Sequence, residues 1–265
     1  MRALLLAALL LAAPLLVTPA RAQSQGEAQA LVDQATLTVQ EILGTGPGTE
    51  DNRSLLRRAR AAMVCPQLFR AGFFFGGEGG GCVLLARDAA GSWSSPAFYG
   101  LASGSFGLQF GIQDAQVLML IFTEKGLTAV LDSQFKFGAD LSLALATVGA
   151  GVEGSTTAAV GADILAIART RGLFAGLALE GSLLSARSEW NRAYYGQEVG
   201  PRQIVISMQV YNPGADPLRA ALIRYGQGVA PGPEPAPAAP PPAQMTPAPG
   251  GVQASPLPPI AAPRN

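Results

Sequence analysis

The chain has 265 residues, 49% of them hydrophobic and 14% charged, which supplies enough apolar material for a packed core and excludes global disorder. Eighteen basic residues balance eighteen acidic ones, so the charge excess of a nucleic-acid binder is missing. No histidine occurs, which removes Ser/His/Asp and Cys/His catalysis and histidine-ligated zinc or haem, and with them most hydrolase and metalloenzyme classes.

The chain opens on Met1-Arg2, an apolar run from Ala3 to Val17 broken by Pro14, and the small-residue triplet Ala20-Arg21-Ala22. This pattern predicts a signal peptide over 1–22 with cleavage before Gln23, since the run is shorter than the ~20 residues a spanning helix needs. The expected location is therefore periplasmic or secreted. Residues 23–51 read as an N-terminal amphipathic helix and linker: Ala28, Leu31, Val32, Ala35, Val39, Ile42 and Leu43 recur at three- and four-residue steps, and Gly44 stops the helix. After the loop Thr45 to Asp51, Asn52 is expected to cap a second helix running to about Val64, ended where Pro66 bars Cys65 from helical dihedrals. That stretch is basic, with Arg53, Arg57, Arg58 and Arg60, then Arg70, and no acid between Asn52 and Gly77.

From Phe73 to about Ser188 the pattern changes to short apolar or alternating runs split by glycine: 73–75, 82–87, 97–101, 106–112, 116–122, 141–145, 164–168 and 173–179. These predict strands of an antiparallel sheet, with short helices near Glu124 to Leu131, Glu189 to Tyr195 and Pro217 to Tyr225. The expected fold class is α+β: a glycine-rich antiparallel, barrel-like sheet core with N-terminal helices and short capping helices, spanning 52–228. In the remaining 229–265, thirteen of the 36 residues from Ala230 onward are proline, which predicts a solvated, disordered Pro/Ala-rich tail.

Little in the chain suggests chemistry. Gly76-Gly77-Glu78-Gly79-Gly80-Gly81 lacks the Lys-Ser/Thr ending of a phosphate loop and leads into the strand-like Cys82-Val83-Leu84-Leu85, so it reads as a glycine hairpin between strands. Gly104-Ser105-Phe106-Gly107 is not a nucleophile elbow, and no spacing rule joins Asp140 to Asp163. No catalytic residue, cofactor or metal site is expected. Cys65 and Cys82 are the only cysteines: in an oxidising compartment their even count allows one disulfide, while their apolar surroundings equally suit two small buried hydrophobes.

An ordered set of short motifs is more specific than any of its parts. It comprises Ala59 to Pro66, the glycine turn before Cys82 to Arg87, Trp93-Ser94-Ser95-Pro96-Ala97-Phe98, Gly104 to Gly111, Phe137-Gly138-Ala139-Asp140, Arg171 to Gly176 leading to Leu179-Glu180-Gly181, and Asn191-Arg192-Ala193-Tyr194-Tyr195-Gly196. In this order they resemble a SYLF domain, the lipid-binding module also found in eukaryotic actin-associated SH3 proteins, over about Asn52 to Ala221. The resemblance implies phosphatidylinositol or other anionic-lipid binding without catalysis. An exported protein meets neither cytoplasmic phosphoinositides nor actin, so anionic phospholipid or lipid A headgroups at a membrane surface become the expected partners, and nucleic acid is not one. The alternative is a periplasmic scaffold whose proline-rich tail binds a protein partner.

Within this reading Arg53, Arg57 and Arg60 share one face of the expected second helix, backed by Leu55, Leu56, Ala59, Ala62 and Met63, and are candidate lipid contacts. Tyr194 and Tyr195 are candidates for a lipid-facing rim, or else packing anchors of a helix that closes one end of the sheet and ends at Gly196.

Overall fold

The computed structural model describes residues 20–46, 48–72, 75–106, 111–132, 134–137, 142–147, 161–172 and 181–227. The chain divides into units Met1–Gly228 and Val229–Asn265, and the second, with the proline-rich segment, lies outside the described residues.

Helix α1, Ala20–Leu43, buries the stripe its periodicity announces, from Ala28 through Val32, Ala35 and Val39 to Leu43. It ends at Gly44, where a Cβ would stand 2.2 Å from the Gln40 carbonyl oxygen. Among the described residues no helix is long and apolar enough to cross a membrane. Helix α2 is Thr49–Arg58, with Gly48 at its N-cap in the left-handed region (φ 76°) and Asn52 buried inside it. It is shorter than expected. Residues Ala61–Gly72 form strand β1, so Ala62 and Met63 are not on a helix. Local propensity lost to the sheet: β1 pairs with strands on both sides, and each of its residues from Ala61 to Cys65 is buried.

The other strands are β2 Phe75–Ala86, β3 Ala97–Phe106, β4 Gly111–Ile121, β5 Gln134–Lys136, β6 Leu143–Thr147, β7 Ile164–Gly172 and β8 Leu183–Ala186. Their order across the single eight-stranded sheet is β5-β8-β3-β2-β1-β4-β7-β6. Every pairing is antiparallel except β6 with β7, which is parallel and corrects the all-antiparallel expectation. The run 106–112 is no single strand: β3 ends at Phe106 and β4 begins at Gly111, three sheet positions away with β2 and β1 between them. The glycine run 76–81 is no hairpin turn either, being the first half of β2. The expected strand at 173–179 lies outside the described residues.

Alternation along the central strands feeds two cores. Met63 and Cys65 of β1, Val117 and Met119 of β4, and Ile164 and Ala166 of β7 face one cluster. Ala62 and Val64, Leu118 and Leu120, and Leu165 and Ile167 face the other, beneath α1 and α2. Burial on both faces explains why these strands read as continuous apolar runs. Helix α3, Glu124–Leu131, closes part of the first cluster with Leu127, Val130 and Leu131, together with α5, Pro201–Val205, through Ile204 and Val205. Helix α4, Ser188–Tyr195, and α6, Asp216–Gly226, pack on α1 over the second.

A bulge organises the middle of the sheet. Against both neighbours the register of β1 shifts by one residue across Pro66 and Gln67. Proline has no N–H to give a ladder, and a bulge is where a central strand tolerates it. The bulge pushes the Gln67 carbonyl toward β2, where a Cβ on Gly80 would lie 2.1 Å from that oxygen. Just before it, Cys65 and Cys82 sit across from each other on β1 and β2, fully buried and disulfide-bonded, with Cα atoms 4.2 Å apart. Of the two roles open to the cysteines, the bond is the one realised.

Candidate functional site

The basic segment divides into two parts with different duties. Arg53 is turned inward: its Nε donates to the Leu43 carbonyl at 2.7 Å, Nη2 to the Gly44 carbonyl and Nη1 to Glu50, while the guanidinium lies 5.2 Å from the Tyr225 ring centre. It caps the C-terminal end of α1, satisfying carbonyls that the helix leaves open. Arg57 and Arg58 occupy the last turn of α2, Arg57 half-buried and Arg58 exposed. Arg60 lies beyond the helix, just before β1, so the three-arginine face expected of one helix does not exist.

Arg60 and Arg87 meet instead at the edge of the sheet's ladder, where the Arg87 N–H donates to the Arg60 carbonyl at 2.8 Å. The Arg87 Nη2 donates to the carbonyls of Arg57 and Ala59, the latter at 2.8 Å, and its guanidinium stands 5.6 Å from the Trp93 ring centre. This arginine binds the end of α2 to the end of β2. The result is one end of the sheet carrying Arg57, Arg58, Arg60 and Arg87, with Glu124 bonded to Arg60 at 3.1 Å. Beside it opens a cleft of about 260 Å³, lined by Arg87, Ala90, Gly91, Trp93, Leu222, Ile223, Gly226 and Gln227. A held guanidinium lining a half-apolar cleft suits an anion carrying an apolar body. Arg87 and Trp93 were not singled out as site residues in the sequence, because their meeting depends on the β2–β3 connection folding back through the Arg87–Trp93 bridge.

Tyr194 is buried and Tyr195 half-buried, so neither forms an exposed rim. Tyr194 is 3% exposed, edge-on to Phe98 at 5.0 Å, and its hydroxyl donates to Gln29 Oε1 at 3.2 Å. Tyr195 meets Tyr194 edge-on at 5.1 Å and donates its hydroxyl to the Pro96 carbonyl. Burial raises the pKa of both phenols well above the ordinary value. The buried Asn191 accepts the Phe98 N–H at 2.9 Å, and Gly196 ends α4 with φ 72°. The motif therefore locks α4 to the start of β3, which is the packing arrangement.

Glu78, set in a glycine run that gives no sign of a buried charge, stands on β2 opposite Arg70 and Ser103, 6% exposed, with neither carboxylate oxygen accepting a hydrogen bond among the described residues. Desolvation raises its pKa, and Arg70 partly offsets the rise. Among the described residues no group of three or more Cys, Asp or Glu side chains is placed to hold a metal.

Comparison with known proteins gives this arrangement a lineage. Residues 102–225 match the family described as Ysc84, Las17-binding protein actin regulator. Protein YSC84 of Saccharomyces cerevisiae is 29% identical over 171 residues, covering 63% of this chain and 36% of the yeast protein. SH3 domain-containing YSC84-like protein 1 of Xenopus laevis is 28% identical over 179 residues, covering 67% of this chain and 52% of the frog protein. LAS seventeen-binding protein 3 of S. cerevisiae is 29% identical over 171 residues, with 63% and 37% coverage. The chain thus spans between about a third and a half of the curated relatives it matches. No solved structure matches it. The relatives' names are those of binding and regulatory proteins. From Ala102 to Tyr225, taking in the strands from the end of β3 to β8 and the three helices that follow, the chain is similar to the Ysc84 family, whose module is the SYLF domain.

Proposed function

We propose that this protein is a non-catalytic lipid-binding module that recognises anionic phospholipid headgroups at a membrane surface. The observation that carries the reading is the basic end of the sheet, where Arg57, Arg58 and Arg60 stand with Arg87 beside a cleft that Arg87 lines together with Trp93, Leu222 and Ile223. Arg57 and Arg60 are headgroup contacts in this proposal, whereas Arg53, Tyr194 and Tyr195 support the domain that presents them. We further propose that the protein acts after export, which the buried Cys65–Cys82 bond supports because such bonds persist in oxidising compartments. In that setting the Las17 and actin of the family description give way to envelope lipid as partner.

The test is flotation of the full chain with phosphatidylglycerol-containing vesicles, comparing wild type with the triple variant Arg57→Gln, Arg58→Gln, Arg60→Gln. Each charge near an anionic surface contributes on the order of 1 kcal/mol, so the triple variant should bind about a hundredfold more weakly. Equal binding of the two proteins at low salt, with equal thermal midpoints, would remove the basic end from the site.

A further inference from the structure

The connection after α5 exposes three large apolar side chains on a backbone held in place. Ile206 is 46% exposed, Met208 36% and Tyr211 60%, although Ile204, Val205 and Val210 between and beside them are buried. The loop is braced from within: the N–H groups of Ile206 and Ser207 donate to the Arg202 carbonyl at 3.0 and 3.1 Å, and that of Gln209 to the Gln203 carbonyl at 3.1 Å. Asn212 Nδ2 ties its far end to the Tyr194 carbonyl at 2.9 Å, and Tyr211 donates its hydroxyl to Asp216 beneath the Arg219 guanidinium. Met208 sits at φ 47°, the only non-glycine residue with positive φ among the described residues. A methionine in that conformation is a local backbone cost at a side chain that the domain covers only in part.

From Val199 to Ala215 the one charged residue is Arg202, which is exposed. The tip formed by Ile206 and Met208 is uncharged and edged by Arg202, while at Tyr211 the Asp216 carboxylate is paired with Arg219; such a tip complements an anionic bilayer, where Ile and Met reach the acyl boundary, Tyr sits at the headgroup level and Arg meets phosphate. Resting on the lipid reading above and deepening it, we infer that the Ile206–Tyr211 loop is a bilayer-insertion anchor, a second contact distinct from the arginine end that gives the domain a fixed orientation on the membrane.

The test uses the full chain and vesicles of phosphatidylcholine with 30% phosphatidylglycerol. In the double variant Ile206→Asn, Met208→Asn, asparagine tolerates positive φ, so the thermal midpoint should hold while vesicle affinity falls about tenfold or more. Separately, Met208→Cys labelled with an environment-sensitive dye should shift to the blue on vesicles and be quenched by spin labels placed in the acyl chains. If wild type binds but the double variant binds equally and the dye remains in water, the anchor is refuted and the lipid reading stands. A dye shift that depends on protein concentration without vesicles assigns the loop to a second copy of the chain, and one that disappears on removing residues 229–265 assigns it to that segment; either overturns the inference. Failure of wild type to bind any vesicle would instead refute the lipid reading itself.

Discussion

Replacing Gly80 by alanine perturbs the point on which the sheet's register depends. The new Cβ would lie 2.1 Å from the Gln67 carbonyl oxygen and 2.9 Å from Leu68 Cδ2, whereas ordinary contacts begin near 3.4 Å. The oxygen therefore has to retreat by more than an ångström, and it belongs to a bulge pinned between the ladders with β2 and β4. A flexible side chain cannot absorb that movement, because the obstacle is backbone. Overpacking of this kind costs ~3 kcal/mol or more. For a domain of this size that corresponds to a fall of about 6–12 °C in the thermal midpoint. Gly104→Ala is the matched control, since a Cβ there meets no heavy atom within 4 Å although Gly104 also lies in a strand. Both midpoints are read by circular dichroism under identical oxidising conditions. A Gly80→Ala protein melting within 2 °C of wild type, a margin worth about 0.5–1 kcal/mol, would refute the account of the bulge.

Three further outcomes are expected. Tyr194→Ala should destabilise the domain by ~3–5 kcal/mol in chemical denaturation, because it empties the space against Phe98, while Tyr194→Phe loses only the Gln29 bond at about 1 kcal/mol; similar losses in the two variants would contradict the packing role. Replacing both Cys65 and Cys82 by alanine opens a link between residues 17 apart and should cost ~3 kcal/mol, with no further effect of reductant on the variant's melting curve. Glu78 has a folded-state pKa above its ordinary value of 4.5, so the folded state holds its proton more tightly and the stability this supplies is complete below 4.5 and lost as pH rises through the folded value. Glu78→Gln should accordingly flatten the stability profile above pH 4.5 and be more stable than wild type at pH 7; a steeper profile in the variant would reverse the assignment.

The extent to which sequence foretold structure follows a physical line. Helix α1 was legible because one face packs on the sheet and solvent meets the other, so Ala28 to Leu43 carry a clear period, broken only where Thr36 and Thr38 are buried and Leu37 is exposed. Helix α3 and the α4 and α6 helices were legible for the same reason, within one residue at most ends. Strand β1 was hidden, since Ala61-Ala62-Met63-Val64-Cys65 is buried on both faces and offers no alternation to distinguish it from a helix. Short strands β5 and β8 owe their existence to a neighbour rather than to their own composition, each of Gln134 to Lys136 being paired with a residue of β8. The glycines of β2 looked like a turn because their true cause, the Gln67 carbonyl pressing on Gly80 and Leu31 on Gly81, comes from elements distant in sequence. The arginines were visible as a charge run, but which of them faces water was not: Arg53 caps a helix that ends ten residues earlier, and Arg87 joins the cluster only through β-sheet pairing.

The central claim, that the domain binds anionic lipid through fixed cationic groups, is tested most directly by vesicle partitioning of the full chain across lipid composition and ionic strength. The account predicts partitioning onto phosphatidylcholine vesicles containing 30% phosphatidylglycerol at 50 mM salt, several-fold weaker at 300 mM, and no measurable partitioning onto phosphatidylcholine alone, because exposed charges act over roughly a Debye length of ~10 Å at 0.1 M salt. Binding to both vesicle types with equal strength, or to neither at low salt, would contradict it.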